Sequence, residues 1–268
     1  MGIKLTLTRQ PTVPLEAEVL APNALADCST DQIAARTVYH GKRQLPLADF
    51  FEIEGERSDE LEIHGDLKKV RWVGRAMSRG RLTIHGNVGM HLGAYMTGGQ
   101  IEVLGNAGDW IGAEMKGGQI HVQGNAGGQV GAAYRGSLAG MKGGLIHVTG
   151  SAGLEVGMRM RRGIIVIGGA AKDFTGLQMK GGTIVLMEGA EIRTGAWMNR
   201  GTIISLKAVQ VMPTFALATK NFVPPFLPLL AKALAPQGIT IPTDCGFDFY
   251  SGDLSVPGRG ELLIRQAD

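Results

Sequence analysis

Residues 99–124 read GQIEVLGNAGDWIGAEMKGGQIHVQG, and within this stretch one phrase of sequence ends and begins again. The first apolar residue of the phrase recurs along the chain in steps of 19 residues, except for one step of 26. It falls at Leu82, Ile101, Ile120, Ile146, Ile165, Ile184 and Ile203. A looser first copy begins at Leu61. A fixed period of about 20 residues is typical of a solenoid, so the repeat predicts the fold.

Each copy of the repeat contains one short apolar run between glycines, for example Ile101–Leu104. The many glycines disfavour a helix, and the alternation of apolar and polar residues indicates a strand with one buried face. Such a strand buries that face only when copies stack in parallel. We therefore predict an all-β fold: a single-stranded parallel β-helix of about seven to eight coils, each of ~19 residues, right-handed as parallel connections usually are.

The repeat divides the chain into three predicted segments. Residues 1–58 form a small N-terminal α+β cap, with a hydroxyl-capped helix that begins at Ser29 and runs through Thr37. Residues 59–208 form the parallel β-helix, and residues 209–268 form an apolar, partly helical C-terminal tail and cap. Both ends of a solenoid need such covers, because they expose a sheet edge and an open core.

The outward position of the predicted strands changes from polar to apolar along the chain. It reads Glu62, Thr83, Glu102, His121, His147, Val166, Val185 and Ile204. The apolar late coils predict a cover, and the tail segment 209–235 is apolar enough to supply it. A short helix from Phe226 to Leu234 either lies on these coils or docks a partner protein. Phe226 and Leu230 are its candidate contact residues.

Composition excludes several classes of protein. The formal net charge of +3 is too small to indicate nucleic-acid binding. Cys28 and Cys245 lie far apart, which excludes a cysteine-held iron–sulfur or zinc site and a disulfide framework. Four prolines interrupt residues 209–235, so this segment is not a membrane span, and the N-terminal residues contain no signal-peptide core. We expect a cytoplasmic protein with no membrane partner.

The sequence contains no motif of nucleotide binding, zinc peptidase or serine hydrolase chemistry. His121 and His147 share one column of the predicted stack, and His64 and His85 share another. Two stacked histidines could begin a metal site, but no cysteine or clear carboxylate completes it, so a solvated outer face is the simpler interpretation. We therefore predict no catalytic, cofactor-binding or metal-binding residues on this chain.

Two features of the repeat point to a contact surface. A methionine recurs in the repeat, at a predicted corner of the coil. The residue after it is basic in several coils, which gives a basic stripe of Lys116, Lys142, Arg161 and Lys180. Stacked like charges cost energy, so the stripe either faces a polyanion or an acidic partner, or is an exposed corner screened by salt. Residues 134–140 form an insertion in the repeat, which is either a contact loop or a bulge without a partner.

The phrases MKGGQIHVQGNAG (Met115–Gly127) and MKGGTIVL (Met179–Leu186) resemble two related groups of proteins. One is the C-terminal β-helix of glutamate synthase large subunits. The other is the C subunit of formylmethanofuran dehydrogenase, together with its bacterial counterpart in the formyltransferase/hydrolase complex. The flanks VYHGKRQLPLADFFEIEGE (Val38–Glu56) and FYSGDLSVPGRGELLI (Phe249–Ile264) are similar to the second group, the C subunits, and favour it.

The resemblance implies a non-catalytic scaffold subunit. Its expected partners are an amidohydrolase-type subunit, a formyltransferase subunit and a further subunit of the same complex, which would carry the metal and the methanofuran-type carrier. The bacterial complex transfers formyl from tetrahydromethanopterin to methanofuran and hydrolyses it to formate in one-carbon oxidation. An Arg- and Ala-rich composition favours this bacterial version. The alternatives are the C subunit of an archaeal molybdenum or tungsten dehydrogenase, and a glutamate-synthase-like binding module.

Overall fold

A computed structural model describes residues 2–265, which are organised around one long β-sheet. The strands, in chain order, are β1 (Ile3–Leu7), β2 (Leu15–Glu16), β3 (Thr37–His40), β4 (Arg43–Pro46), β5 (Phe51–Glu54), β6 (Glu60–His64), β7 (Val70–Arg71), β8 (Arg81–His85), β9 (Gln100–Val103), β10 (Gln119–Val122), β11 (Lys142–Val148), β12 (Arg162–Ile167), β13 (Lys180–Leu186), β14 (Arg200–Ser205), β15 (Ala216–Phe222), β16 (Phe247–Gly252) and β17 (Gly260–Arg265). The α-helices are α1 (Pro22–Leu25), α2 (Thr30–Ala34) and α3 (Leu227–Leu234), with 3₁₀ turns at Leu47–Asp49 and Ala235–Gln237.

The long sheet has 13 strands in the order β15-β16-β17-β14-β13-β12-β11-β10-β9-β8-β6-β1-β5. All pairings from β1 to β17 within this order are parallel, while β5 closes one end and β16 and β15 close the other in antiparallel pairs. The two ends of the chain therefore extend the stack, since β1 precedes β6 and β17 follows β14. A second, four-stranded sheet has the order β4-β3-β2-β7. The fold is mostly β and β-helix-like, as the repeat predicts.

The register of the strands confirms the predicted inner column. Ile101 pairs with Leu82 on one side and with Ile120 on the other, and the same column continues to Ile203 and Leu262. Every member is at most 2% exposed. Side chains at this position thus form one continuous apolar core along the sheet, which is the packing that a repeated strand with one buried face requires.

The opposite side of each coil is held by a single bridge and by a ladder of asparagines. Bridges join Ala107 to Val88 and to Ala126. The Oδ1 atom of Asn106 accepts a hydrogen bond of 2.8 Å from the backbone of Asn125, and Asn125 repeats this contact with Ser151 of the next coil. These asparagines therefore form a hydrogen-bonded ladder that keeps the early coils in register.

The third side of the coil turns through left-handed backbone. Gly157 has φ +68°, and a Cβ there would lie 2.5 Å from Cδ1 of Ile184, so only glycine fits. Non-glycine residues also adopt positive φ in the position two residues before this glycine, and we call them the left-handed column. They are Trp72, His91, Trp110, Gln129, Glu155, Phe174 and Arg193. None of them is fully buried, so this column supplies large side chains to the surface.

The C-terminal tail covers the late coils. Val166, Val185 and Ile204 are 0% exposed and pack in one cluster with residues of the tail, among them Leu234 and Phe247. The first of the two predicted alternatives for the tail is therefore confirmed. Helix α3 begins one residue later than predicted, and the antiparallel strands β15 and β16 on either side of it were not predicted at all.

The N-terminal helix also matches its prediction in kind. Helix α2 has Ser29 as N-cap, and the side chains of Ser29 and Gln32 form a reciprocal capping box. The helix ends at Ala34 and not at Thr37, because Thr37 begins strand β3. Within residues 2–265, no helix combines the length and the hydropathy needed to cross a bilayer.

Candidate docking face and histidine clusters

The insertion 134–140 lies along the left-handed column, and its first residue is the centre of an aromatic cluster. The ring of Tyr134 stacks on Trp110 with centroids 4.9 Å apart, and it contacts His91 and Tyr95 at 5.6 Å each. Trp72 stacks on His91 at 4.1 Å. Tyr134 therefore folds back over three earlier coils, and its ring fixes the start of the insertion.

A hydrogen bond adds to this stacking, since Nδ1 of His91 lies 2.9 Å from the hydroxyl oxygen of Tyr134. Burial lowers the pKa of His91 to about 4, helped by the positive charge of Arg71 and opposed by Asp109. Burial likewise raises the pKa of Tyr134, so the phenol keeps its proton. The neutral imidazole of His91 can then accept a hydrogen bond from the Tyr134 hydroxyl, and the pair is uncharged in a half-buried site.

Basic residues of later coils hold the other end of the insertion. Nη1 of Arg159 donates a hydrogen bond of 2.6 Å to the carbonyl oxygen of Ser137, and its Nε donates one of 2.7 Å to Gln178. Nζ of Lys180 donates to the carbonyl oxygen of Leu138 at 3.4 Å. The insertion is thus tied down at both ends, yet the side chain of Leu138 at its tip is 71% exposed.

A groove runs beside this tip and separates it from the loop before β17. Its lining is Leu138, Arg159, Gln178, Lys180, Trp197, Asn199 and Val256. Trp197 is 49% exposed. An exposed tryptophan and leucine beside two cations form the kind of surface that is enriched in protein interfaces. We call the insertion, this groove and the basic stripe together the docking face.

The loop that carries Val256 is anchored by Asp253. Burial opposes the charge of this carboxylate, but hydrogen bonds from the side chain and backbone of Ser255 and from the backbone of Trp197 outweigh it and lower the pKa of Asp253. The backbone amide of Trp197 donates to Oδ2 of Asp253 at 2.9 Å. The far wall of the groove is therefore a fixed surface.

The basic stripe runs beside the insertion, and its members stack as predicted. The backbone amides of Lys142, Arg161 and Lys180 each donate to the methionine carbonyl one coil earlier, at 2.7–2.8 Å. Lys116, Lys142 and Arg161 are exposed and form no ion pair within the part of the chain that the structure describes. Lys180 differs, because its ammonium group is used to hold the insertion.

The two tail residues singled out by the sequence lie against this chain itself. Phe226 and Leu230 are half-buried and pack on the cluster that covers the late coils. Leu229 is 73% exposed on the same helix. The structure thus brings Phe226 and Leu230 to the tail core, and it places only the stripe residues on the docking face.

Both predicted pairs of histidines are stacked. His121 and His147 have parallel rings with centroids 4.7 Å apart, and burial lowers the pKa of His147 to about 4, with a further contribution from His121. His64 and His85 stack at 4.0 Å. Here Glu62 contributes a carboxylate, and Oε2 of Glu62 lies 3.4 Å from Nε2 of each ring.

The sequence alone did not locate the residues that shape these sites. Tyr134 lies in a recognised insertion, but the repeat does not say that the insertion folds back onto earlier coils. Trp197 occupies a repeat position that is non-aromatic in most other coils, for example Ala76 and Gln178, although it is Tyr95 in one, and this large residue was a signal that could have been used. Glu62 was assigned to the outward column, and its neighbourhood to His64 follows from their alternation on one strand.

The fold is a β-solenoid, and its docking face places aromatic side chains beside basic ones. The sequence matches the GXGXG motif family over residues 81–215, which is half of the chain. The full-length likeness is to a chain in the crystal structure of the formyltransferase/hydrolase complex from Methylorubrum extorquens in complex with methylofuran. The TM-score is 0.91 and the identity 33%, over 98% of this chain and 100% of that chain.

Curated relatives give the same grouping. The C subunit of the tungsten-containing formylmethanofuran dehydrogenase 2 of Methanothermobacter wolfeii is 41% identical over 97 residues, which cover 34% of this chain and 36% of the relative. The C subunit of the molybdenum-containing enzyme 1 of Methanothermobacter thermautotrophicus is 44% identical over 95 residues, 35% of this chain and 24% of the relative. The chain matches about a third or less of these relatives' length. It belongs to the GXGXG motif family, and the curated relatives that it matches are C subunits of formylmethanofuran dehydrogenases.

Proposed function

We propose that this chain is the non-catalytic scaffold, or C, subunit of a cytoplasmic formyltransferase/hydrolase complex. Such a complex transfers formyl from tetrahydromethanopterin to methanofuran and hydrolyses it to formate. The observation that carries the proposal is the likeness to a chain of the Methylorubrum complex, which includes both flanks as well as the repeat. A fold likeness restricted to the solenoid would have supported only a β-helix of unspecified role.

The proposal includes the finer architecture and the partners. The coils, about seven to eight in number, are right-handed, because parallel connections usually are. The partners are an amidohydrolase-type subunit, a formyltransferase subunit and a further subunit, and these carry the catalytic metal and the methanofuran-type carrier. The docking face binds one of these subunits, since it joins a fixed aromatic surface to unpaired cations. Neither nucleic acid nor a membrane takes part.

The assembly test is reconstitution from the cognate subunits of the native host. Co-expression with this chain should give a complex that hydrolyses formylmethanofuran, and omission of this chain should leave the partners unassembled. The purified chain alone should have no hydrolase or transferase activity. Full assembly and turnover of the partners without this chain would contradict the proposal.

The basic stripe allows a sharper test within the assembled complex. We propose that Lys116, Lys142 and Arg161 contact a polyanion, either an acidic surface of a partner or an acidic carrier. The triple change of these residues to Glu should weaken turnover most at low ionic strength, because exposed charges are screened by salt. The control is the same charge reversal at Lys42, Lys207 and Lys220, which are also exposed. Equal turnover rates in the stripe variant and the control variant would show that the stripe faces solvent and contacts no polyanion.

The curated relatives favour one second candidate, the C subunit of a molybdenum- or tungsten-containing formylmethanofuran dehydrogenase. The two candidates differ in redox chemistry, because only a dehydrogenase passes electrons to an acceptor. Reduction of a viologen dye by the isolated complex in the presence of formylmethanofuran would favour the dehydrogenase. Hydrolysis to formate without dye reduction would favour the formyltransferase/hydrolase complex.

A further inference from the structure

Three potential metal ligands converge on the outer face of the first coils. Glu62 and His64 lie on β6, and His85 lies on β8 directly opposite His64 in the parallel register. One ligand atom from each residue lies within 4.8 Å of the other two. All three side chains lie on strands of the central sheet, so their Cα positions are fixed by backbone hydrogen bonds.

The distances fit the coordination geometry of a transition metal ion. Oε2 of Glu62 lies 3.4 Å from Nε2 of His64 and 3.4 Å from Nε2 of His85. With metal–ligand bonds of about 2.0–2.1 Å, two ligands of a tetrahedral ion are separated by about 3.4 Å. Both nitrogen–oxygen separations therefore already match two edges of such a tetrahedron. The two rings are parallel with centroids 4.0 Å apart, so they must tilt towards each other for both nitrogens to bind one ion.

The hydrogen bonds of this cluster leave ligand capacity unused. Nε2 of His85 is buried as an atom and has no hydrogen-bond partner. Nearby charges do not compete for Glu62, because Lys4 on the neighbouring strand is paired with Glu54 at 3.1 Å. The three side chains are 33–54% exposed, so water can complete the coordination shell of a bound ion.

The other stacked pair shows what an incomplete cluster looks like. Glu102 reaches only His121, at 3.7 Å from Nδ1, and Nε2 of His121 is already bonded to Oγ1 of Thr149 at 3.1 Å. His147 has no carboxylate beside it among the described ion pairs. The second pair therefore serves as an internal control within the same face of the same sheet.

We propose that Glu62, His64 and His85 bind a divalent first-row transition metal ion, of which Zn²⁺ is the natural probe. Two imidazoles and one carboxylate are the ligand types that such ions prefer, and Zn²⁺ accepts this set with water in the remaining position. The ion joins β6 to β8 and so fastens the first coils of the stack. This site is structural, lies away from the docking face, and does not depend on the proposed function.

The test is calorimetric titration of ZnCl₂ into the untagged, chelator-treated full-length chain near neutral pH. The wild-type chain should bind one equivalent, and His85→Gln should lower the affinity at least roughly tenfold. His121→Gln, in the control pair, should leave the affinity unchanged. Zn²⁺ should also raise the melting temperature of the wild-type chain and of His121→Gln but not of His85→Gln, because an ion that binds only the folded state stabilises it.

Glu62→Gln keeps the size of the side chain and tests the carboxylate separately. It should weaken binding less than His85→Gln does, and thermal melting without metal shows whether each variant is folded. Equal affinity in the wild type and both ligand variants would overturn the proposal, since the ion would then lie elsewhere. The absence of saturable binding at millimolar Zn²⁺ in the folded wild-type chain would overturn it as well.

Discussion

The early and late coils have the same inner column but opposite outer faces. From Glu62 to His147 the outward strand position is polar and at least partly exposed. From Val166 onward it is apolar, and Val166, Val185 and Ile204 are 0% exposed under the tail. Strands β11 and β12 stay in register from Leu145 to Val148, where His147 pairs with Val166, and the register shifts only before Leu145. The inner column therefore builds the solenoid, while the outer column decides what covers it.

The boundary between the two regions lies at His147. A small cavity is lined by His121 and His147 together with Gln100, Gln119 and, from the tail, Gln237. His147 is half-buried there, whereas Val166 in the next coil is fully covered. One coil thus separates a solvated face from a protein core, and substitutions on either side of it measure how sharp that step is.

The largest effect should come from a charge placed under the tail. Val185→Asp should lower the free energy of unfolding by about 3–5 kcal/mol, because it buries a carboxylate with no partner. Thr83→Asp changes the same outward column in the open region and should cost about 1 kcal/mol, because the new carboxylate lies between Glu62 and Glu102 but stays in water. Urea unfolding followed by circular dichroism measures both. Equal losses in the two variants would mean that the outer faces do not differ energetically.

The second effect separates the two faces of helix α3. Leu234 is 0% exposed in the tail core, so Leu234→Ala should cost about 2–3 kcal/mol and loosen the tail. Leu229 is 73% exposed, and Leu229→Ala should stay within about 0.5 kcal/mol of the wild type. Urea unfolding and the rate of proteolysis after Lys220 both report on the tail. If Leu234→Ala left the free energy of unfolding unchanged, the tail would not be part of the folded core.

The third prediction uses the acid sensitivity of the boundary. The pKa of His147 is lowered from 6.5 to about 4, chiefly by burial. Between these pH values the unfolded chain binds more protons than the folded chain, so the free energy of unfolding falls as the pH drops from 6.5 towards 4. His147 is partly exposed, and we expect its share to be on the order of 1–2 kcal/mol after solvent screening.

His147→Val would extend the apolar column by one coil and should remove this share of the acid-induced loss. His91, whose pKa is also lowered to about 4, should keep its own share in that variant. Urea unfolding at several pH values between 4 and 7 measures the difference, and nuclear magnetic resonance follows the imidazole directly. A wild-type His147 that titrates near 6.5 would contradict the burial assigned to it.

Periodicity predicted the parts of this molecule that repeat, and it failed where segments meet across the sequence. The inner column at Ile101 and Ile120 was predicted from the spacing, because each strand pairs with the equivalent strand of the next coil. The tail cover was predicted from the apolar outward positions Val166, Val185 and Ile204. Strands β15 and β16 did not follow, since their pairing depends on contacts with β17 that no local pattern encodes.

The contact surface was predictable only in part, for the same reason. The basic stripe lies in the repeat and was found. The fold-back of Tyr134 onto Trp110 joins residues of different coils through an insertion, and nothing in the spacing specifies the direction in which an insertion turns. The alternation of side chains along a strand could have predicted that Glu62 lies beside His64. The three-residue cluster became recognisable only when the structure placed His85 opposite His64.

The smallest effect concerns the aromatic cluster of the early coils, which has no counterpart under the tail. Tyr134→Phe keeps the stacking on Trp110 and removes only the hydrogen bond to His91, so it should cost about 1 kcal/mol. Local opening of the insertion should then be about fivefold more frequent. Trypsin cleavage after the exposed Arg135 measures that opening when reclosure is fast. Tyr39→Phe, an exposed tyrosine of the N-terminal segment, is the control, and an equal cleavage rate at Arg135 in all three proteins would show that stacking alone holds the insertion.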